Sequence, residues 1–362
     1  MIQGTRRRPA VSGDAANAAN IDLTGVATLQ SSAPGVLQVL ADGRIQAVAP
    51  GIATLTASYG GASTSRQVVV VPKQTALMHR YSFNGDLRDL VGGADARPHG
   101  NVTVVENRMV QLTGERNTYV ELPRYLVDGY ATITLEAWAQ FLPSGNWTRL
   151  FDFGVYSAAA RPGGVDYIFF APRTGGASYR IAINPPGAEV GVTASTGAPQ
   201  GDLNDGVMRH IVCVFQTDAA LGERYLALYL DGAQVVRQTI TADLSAIQNA
   251  WNFIGRSLFS ADAYLLAQID EFRIYHGALT PEQIAAHTAA GPDGSPTVSP
   301  LAAPLVITAA RQGDNLVLTW TDAQAVLQSA PSVTGPYTDV SGASSPYTVP
   351  LTGSQQYFRL RK

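Results

Sequence analysis

Four oxygen-bearing side chains, in two distant segments, have the chemistry of a calcium site. Asn84, Asp86 and Asp89 lie within one short segment directly after a strand-like run, and Asp270 lies in a second strand-like run far along the chain. Calcium takes roughly six to eight oxygen ligands from carboxylates, amides and carbonyls. The alternative is that Asn84 and Asp86 form a turn around Gly85, and that Asp270 hydrogen-bonds a loop.

A second group of residues combines aromatic rings with arginines, as sugar-binding sites do. The C–H faces of a sugar stack on rings, while its hydroxyl groups need fixed donors and acceptors. For any single aromatic residue, packing in a core is the alternative, and we expect Trp138 and Trp251 to be core residues, with Trp251 beneath Ile254. The candidate carbohydrate-binding residues are Trp147, Arg149, Tyr167, Arg256 and Tyr264.

Catalysis is the third kind of chemistry to consider. A retaining glycoside hydrolase needs two carboxylates about 5 Å apart. Asp270 and Glu271 are adjacent, so on a strand they point to opposite faces, and we expect Glu271 to be a solvent or lateral contact. Glu136 is the single carboxylate of its run, and the five histidines have neither metal-ligand spacing nor a nucleophile partner. The sequence favours a non-catalytic protein, with a glycoside hydrolase or polysaccharide lyase as the alternative.

Composition indicates a secreted-type, all-β protein. The 362 residues are 46% hydrophobic and 15% charged, with 35 glycines and 21 prolines, which suits short strands joined by turns. The net charge of −3 gives no general attraction to nucleic acid or to an anionic membrane. No apolar run approaches the roughly 20 residues of a membrane span. The one cysteine, Cys213, lies in an alternating run, and we expect it to be buried.

Alternating patterns divide the chain into three β units. The first covers residues 1–73, although its first 20 residues are rich in Ala and Asn and do not look like strands. The second covers 76–291, and a linker with four prolines, 292–304, separates it from the third, 305–362. Near the end of the second unit, Thr280 and Gln283 with Pro281 predict the start of a short helix. Leu230-Asp231-Gly232 predicts a tight hairpin.

The order of motifs in residues 76–291 resembles a laminin-G-like (concanavalin-A-like) jelly-roll domain. Its closing run Ile-Asp-Glu-Phe-Arg-Ile-Tyr, residues 269–275, followed by Gly-Ala-Leu-Thr, is similar to the close of that family. The resemblance implies that the first and last strands are neighbours. Asp89 and Asp270, with Asn84 and Asp86, would then converge on one structural calcium ion.

The flanking segments have resemblances of their own. Residues 31–59 resemble a bacterial Ig-like group 2 domain with a truncated front edge, and residues 327–337 with the closing Tyr-Phe-Arg-Leu-Arg resemble a short fibronectin-III-like module. The predicted fold class is therefore all-β, a central concanavalin-A-like jelly-roll sandwich flanked by two small Ig/fibronectin-like β-sandwiches.

These resemblances imply a non-catalytic, lectin-like module of a secreted or cell-surface bacterial protein with several domains. The expected partner is a polysaccharide or another glycan, and the chain is expected to be a monomer and part of a longer protein. Nucleic acid and a membrane span are not expected. One alternative is a structural or adhesive tail of a surface protein, and the second is a polysaccharide-active enzyme on the same scaffold.

Overall fold

The computed structural model of the chain describes residues 1–15, 18–158, 162–176, 178–185, 187–194, 202–300, 305–320, 322, 324–352 and 355–361. The chain forms two compact units, Met1–Leu301 and Ala302–Lys362. Residues 301–304 of the predicted linker lie outside the described residues. In the part of the chain that is described, no helix is long and apolar enough to cross a membrane.

The beginning of the first unit folds into three small antiparallel sheets. Its strands are β1 (Arg6–Arg7), β2 (Ser12–Ala15), β3 (Ala18–Asp22), β4 (Thr28–Ser31), β5 (Leu37–Val39), β6 (Ile45–Ala47), β7 (Gly51–Tyr59) and β8 (Ala62–Val70). The sheets have the orders β1-β6-β5, β2-β3 and β4-β7-β8, around a core that includes Leu37, Ile45 and Leu55. The expectation that residues 1–20 hold no strands was wrong. These strands are too short to give an alternating pattern, and β1 is fixed by pairing with β6 instead.

The rest of the first unit is a two-sheet sandwich followed by one helix. Its strands are β9 (Ala76–Tyr81), β10 (Arg97–His99), β11 (Thr103–Val105), β12 (Met109–Thr113), β13 (Tyr119–Leu122), β14 (Thr132–Phe141), β15 (Phe151–Tyr156), β16 (Gly164–Ala171), β17 (Tyr179–Asn184), β18 (Val190–Ala194), β19 (Met208–Gln216), β20 (Tyr225–Leu230), β21 (Ala233–Thr239), β22 (Trp251–Ile254) and β23 (Leu266–His276). Short 3-10 turns span Ala219–Leu221 and Leu244–Ala246, and the helix α1 is Pro281–Ala290.

The two sheets of the sandwich bury one large apolar core between them. A seven-stranded sheet has the order β10-β13-β22-β15-β16-β17-β18. The other sheet has the order β11-β12-β23-β14-β19-β20-β21, and β9 also pairs with β23. The first and last strands are therefore neighbours, as the resemblance implied. Residues alternate along each strand, so that Phe151 and Phe153 enter the core while Asp152 lies on the outer face. Cys213 is buried in this core, as predicted.

Helix α1 covers part of the outer face of the sheet that contains β23. The Thr280 side chain accepts a hydrogen bond from the Gln283 backbone and the Gln283 side chain accepts one from the Thr280 backbone, which confirms the predicted capping box. Ile284 of the helix belongs to a second apolar cluster, which includes Leu279 and Tyr275. The outer face of the seven-stranded sheet has no such helix among the described residues.

The second unit consists of two small antiparallel sheets. Its strands are β24 (Thr308–Gln312), β25 (Asn315–Thr319), β26 (Val326–Ala330), β27 (Thr338–Asp339), β28 (Tyr347–Pro350) and β29 (Tyr357–Arg361). The sheets have the orders β24-β25-β28 and β27-β26-β29, and their core includes Leu318, Trp320 and Leu327. This unit is β-rich, as predicted from its alternating pattern.

Candidate functional site

The outer face of the seven-stranded sheet carries a cluster of aromatic residues. Asp152 on β15 lies between Phe253 of β22 and Phe169 of β16, which are its direct cross-strand neighbours. Because side chains on paired residues point the same way, all three lie on this face. The buried members of the cluster are Tyr119, Tyr167, Phe169, Ala171, Ala182, Phe253 and Leu258, and the partly exposed ones packed against them are Tyr156, Trp251, Phe259 and Tyr264.

Two arginines lie over the rings of this cluster. The Arg124 guanidinium is 3.6 Å from the ring centroid of Trp251, and Trp251 itself stacks on Tyr156 with centroids 5.4 Å apart. The Arg256 guanidinium is 4.3 Å from the Phe253 ring and 4.8 Å from the Tyr119 ring. Stacked guanidinium groups keep their N–H edges available for acceptors while the ring holds their position. The face therefore presents apolar rings beside fixed donors.

A cavity of about 260 Å³ opens beside Arg124. It is lined by Asp95, Arg97, Glu121, Leu122, Pro123 and Arg124. Glu121 also interacts with His99, with 2.9 Å between Oε2 and Nε2. The cavity thus adds charged acceptors and donors next to the Trp251 ring.

Trp147 projects from the loop before β15 in an unusual backbone conformation. Its side chain is 38% exposed, and its φ of 62° lies in the left-handed region. Its backbone N–H donates to the Arg173 carbonyl over 2.8 Å, and its own carbonyl accepts from Nη1 of Arg149 over 2.6 Å. A bulky residue in this region is strained and needs such restraints to persist. The loop therefore holds an exposed indole in a defined position.

Arg149 is buried and belongs to the framework beneath the face. It is 3% exposed and lies over the Phe169 ring at 4.1 Å. Its Nη2 is 3.0 Å from Oδ2 of Asp262, and its Nε is 3.4 Å from Oδ2 of Asp152. Its contacts are thus with the protein, and they fix the Trp147 carbonyl.

Four of the five predicted carbohydrate-binding residues lie on this face at different depths, and Trp147 lies in the loop before β15, next to Arg149. Tyr167 is buried, and its hydroxyl donates to Oε2 of Glu189 over 2.6 Å. Tyr264 is partly exposed, and its hydroxyl donates to Oδ1 of Asn117. Trp147, Arg256 and Tyr264 can therefore meet a ligand directly, whereas Arg149 and Tyr167 support the surface from below. Ligand binding by these residues stays a prediction.

Trp251 is the residue of this face that sequence reasoning missed. We expected it to pack in the core beneath Ile254, but it lies on the outer face, partly exposed, while Ile254 enters the core. The two residues are three apart on one strand, so they must point to opposite faces. Strand alternation applied to residues 251–254 would have identified it.

Asp89, predicted as a calcium ligand, is fully hydrogen-bonded to β9 and to its own loop. Its Oδ1 accepts from the backbone N–H groups of Arg80, Val91 and Gly92, and its Oδ2 accepts from Ala94 N–H and His79 Nδ1. Burial opposes ionisation of this carboxyl, but these hydrogen bonds outweigh burial and lower its pKa. The loop is thus organised around Asp89.

Asp270, the other principal metal candidate, has a free oxygen. It is the extra residue of a bulge in β23, where Trp138 pairs with Glu271 and Ala139 pairs with Ile269. Its Oδ2 accepts from Nε of Arg108 over 2.8 Å, but its buried Oδ1 has no hydrogen-bond partner among the described residues. Burial raises the pKa of this carboxyl, and Arg108 opposes the rise. An orphaned buried carboxylate oxygen fits a bound cation.

The remaining metal candidates lie in exposed positions. Asn84 donates from Nδ2 to Oδ1 of Asp293 over 2.9 Å, and Asp86 pairs with Arg88 at 2.6 Å. Asp293 in turn acts electrostatically on Asp270. Within the described ranges no three His, Cys, Asp or Glu side chains are grouped to hold a metal ion, so a site here would need amide and carbonyl oxygens as well.

A buried charge network lies on the other sheet, beneath α1. Glu136 on β14 accepts from His210, His287, Tyr275 and Arg273. Glu271 is fully buried and is paired with Arg80 of the neighbouring strand β9 and with Arg273, so it is a lateral contact and the solvent-exposed alternative was wrong. Two histidines that looked isolated in the sequence thus share a carboxylate. Their contacts join strands and a helix that are far apart in the chain, which sequence spacing does not reveal.

The paired antiparallel sheets with neighbouring first and last strands define a concanavalin-A-like jelly roll, which confirms the predicted fold class. Residues 113–285 match the model of the laminin-G family described as the concanavalin A-like lectin/glucanases superfamily. The Ig-like and fibronectin-III-like resemblances of the flanking segments remain predictions. A search of the curated proteins found no match.

Several solved structures are similar to this chain. Domain 4 of AbnA, an extracellular arabinanase of Geobacillus stearothermophilus solved with arabinotriose, is 20% identical, with a TM-score of 0.45 over 59% of this chain and 98% of that one. The binding domain of Paraclostridial Mosquitocidal Protein 1 is 12% identical, with a TM-score of 0.43 over 58% and 51%. The receptor binding domain of the botulinum neurotoxin C/D mosaic serotype is 12% identical, with a TM-score of 0.42 over 73% and 68%. At these values the similarities carry no information about ligands.

Proposed function

We propose that this chain is a non-catalytic carbohydrate-binding protein, part of a secreted or cell-surface bacterial protein. Its ligand, a polysaccharide or another glycan, would lie on the outer face of the seven-stranded sheet. The observation that carries the proposal is the partly exposed aromatic surface of that face, with Trp147 fixed at one side and Trp251 stacked under Arg124. The match of residues 113–285 to a lectin and glucanase superfamily supports it.

The two sheets differ in a way that favours this face. The sheet beneath α1 buries its polar side chains in internal pairs, so Glu136 and Glu271 are fully occupied and inaccessible. At the seven-stranded sheet, the rings of Trp251 and Tyr264 on the outer face and of Trp147 in the loop before β15 remain partly exposed beside polar groups. This arrangement supports stacking of a sugar ring on the exposed aromatic rings. The hydroxyl groups of the sugar would form hydrogen bonds with arginine and carboxylate side chains.

We also propose a structural calcium ion near the closing strand. Asp270 would supply a carboxylate oxygen to it, and Asn84, with Asp293 beside it, would supply further oxygens. Asp86 and Asp89 were predicted for the same ion, but Asp89 is already engaged by five donors. The ion would stabilise the junction between the first and last strands, not act on a ligand.

Affinity electrophoresis through gels that contain plant, algal or microbial polysaccharides tests the proposal. The wild-type chain should be retarded by at least one polysaccharide, and Trp147→Ala should weaken that retardation on the order of tenfold, because one stacked ring contributes about 1 kcal/mol or more. Tyr59→Ala removes an exposed ring from β7 and serves as the matched control. The proposal would be overturned if the wild-type chain bound none of the polysaccharides. It would also be overturned if Tyr59→Ala weakened the retardation as much as Trp147→Ala does.

A further inference from the structure

We propose that Asp152 is the positioning residue of the glycan-binding face. Its buried carboxyl group holds segment 256–264 against the sheet and, through Arg149, holds Trp147 in its exposed position. This inference rests on the proposed function, since it concerns the residues that would touch the glycan. It assigns to Asp152 no contact with the ligand itself.

Asp152 contacts residues of the segment that lies over the outer face of the sheet. Its Oδ2 accepts from the Leu258 backbone N–H over 3.0 Å, and the Ser257 hydroxyl oxygen lies 3.3 Å from the same atom. The side chain is completely buried between the aromatic residues of the neighbouring strands. Its Oδ1 has no hydrogen-bond partner in the described part of the chain. Burial of a carboxyl group costs free energy, and the contacts with Leu258, Ser257 and Arg149 offset part of that cost.

The segment that Asp152 holds carries much of the proposed binding surface. Residues 256–264 include Arg256, Phe259 and Tyr264, all of which are partly exposed on the face. The Leu265 N–H donates to the Gly255 carbonyl over 3.0 Å, which closes the base of this loop. The Ser260 N–H donates to the Pro162 carbonyl over 2.8 Å, which holds its far end. Asp152 binds the loop between these two points, where Leu258 enters the aromatic cluster.

A second chain of contacts connects Asp152 with Trp147. Arg149 lies beside Asp152, donates to the Trp147 carbonyl and pairs with Asp262 of the loop. Ser257 donates to Asp262 over 2.8 Å as well as facing Asp152, so the two carboxyl groups share one hydroxyl group and one guanidinium. A change at Asp152 therefore reaches both the loop and the strained Trp147 backbone.

The charge balance of this cluster makes its structure dependent on pH. The groups that face Asp152 are Arg149, Asp262 and Tyr167, and the Tyr167 hydroxyl is in turn bonded to Glu189. Burial raises the pKa of Asp152 to about 7, against the opposing effects of Arg149, Leu258 N–H and Ser257. Burial raises the pKa of Asp262 as well. Ionisation of Asp152 near neutral pH adds a negative charge beneath the loop and changes the contacts of Arg149.

The test follows Trp147 in the free protein and therefore needs no glycan. Tryptophan fluorescence is titrated from about pH 5 to pH 9, and the signal of Trp147→Phe is subtracted to isolate Trp147. The wild-type signal should change with a midpoint near the pKa of about 7, and Asp152→Asn should abolish that change. Asp314→Asn, an exposed position in the second unit, should leave it intact. A wild-type signal that does not titrate, or one that titrates equally in Asp152→Asn, would overturn the inference.

Glycan affinity gives the second readout, with the polysaccharide that retards the wild-type chain most. Asp152→Ala should weaken binding on the order of tenfold or more, since the loop and Trp147 lose their anchor. Asp152→Asn should bind with an affinity that no longer changes between about pH 6 and pH 8. Wild-type affinity for Asp152→Ala would contradict the positioning role even if glycan binding is established. If the Trp147 fluorescence titrates as expected but the chain binds no glycan, the proposed function is rejected. The positioning of Trp147 by Asp152 is then retained.

Discussion

Nδ1 of His287 in α1 donates a hydrogen bond to Oε1 of Glu136 in β14 over 2.8 Å, although 151 residues separate them in the chain. The same oxygen accepts from Nε2 of His210 at 2.9 Å, and Oε2 accepts from the Tyr275 hydroxyl at 2.7 Å. Burial opposes ionisation of Glu136, and the hydrogen bonds from the two histidines outweigh it, so its pKa is below the usual range. The carboxylate therefore fixes the helix on the sheet.

Glu136→Gln should lower the free energy of unfolding of the first unit by about 3–5 kcal/mol, because the buried Arg273 loses one counter-charge. In either orientation of the amide, its N–H₂ also faces donors, either the two histidines or Arg273 and Tyr275. Urea denaturation followed by tryptophan fluorescence measures this, since Trp138 is stacked on His210 at 4.1 Å.

The matched control is Glu106→Gln, which makes the same chemical change at an exposed position. It should alter stability by less than about 0.5 kcal/mol. Equal stabilities of Glu136→Gln and Glu106→Gln would mean that the network does not hold the helix.

The helix cap gives a prediction that the sequence already supports. Thr280→Ala should destabilise α1 and its contacts by about 1 kcal/mol, because the Gln283 N–H loses its acceptor at the N-terminus. Hydrogen exchange of the first-turn amides should speed up locally. Thr280→Ser, which keeps the hydroxyl group, is the control, and equal exchange in both variants would refute the capping role.

Local patterns in this chain predict local structure well. The capping box at Thr280 follows from residue types within a few positions. So does the hairpin at Asp231 and Gly232, two residues that both have a positive φ. The alternation of apolar residues predicts the strands that enclose the core. The pairing of β9 with β23 came from the resemblance of the whole motif order, since no short pattern encodes which distant strands meet.

The candidate sites were less predictable because they depend on depth and on long-range contacts. Arg149 and Trp147 are two residues apart, yet one is buried and the other is the most exposed tryptophan of the sandwich. A bulge at Asp270 leaves Glu271 buried against Arg80, 191 residues away in sequence. Neither position follows from residue type or from regular alternation.

The raised pKa of Asp152 predicts a distinctive pH dependence of stability. The folded state holds a proton on Asp152 up to about pH 7, whereas the unfolded chain releases it near the ordinary value of 3.8. The contribution of this proton to stability is therefore fully present below about pH 4, declines as pH rises to about 7 and is absent above it.

Asp152→Asn has no such proton to lose. Between about pH 4 and pH 7, the unfolding free energy of wild type should therefore fall by a few kcal/mol relative to that of Asp152→Asn. Urea denaturation at a series of pH values measures it. A difference that stays constant over this range would show that Asp152 is ionised in the folded protein throughout.

Calcium should stabilise the first unit through Asp270. Addition of calcium should raise the melting temperature and chelation by EDTA should lower it, because an ion that binds only the folded state shifts the unfolding equilibrium. Asp270→Asn should abolish the response to calcium. Asp89→Asn should lower the melting temperature with or without calcium, since Asp89 holds backbone N–H groups directly. Melting that is unaffected by calcium and EDTA would refute the metal site.

Hydroxyl-radical footprinting with a saturating glycan tests the central claim most directly, because it reports where the ligand lies. Bound glycan should protect Trp147, Trp251 and Tyr264 on the outer face of the seven-stranded sheet. Tyr59 on β7 and Leu221, both exposed elsewhere on the first unit, should be modified equally with and without ligand. The account would be contradicted if bound glycan protected Tyr59 or Leu221 and left the modification of Trp147, Trp251 and Tyr264 unchanged.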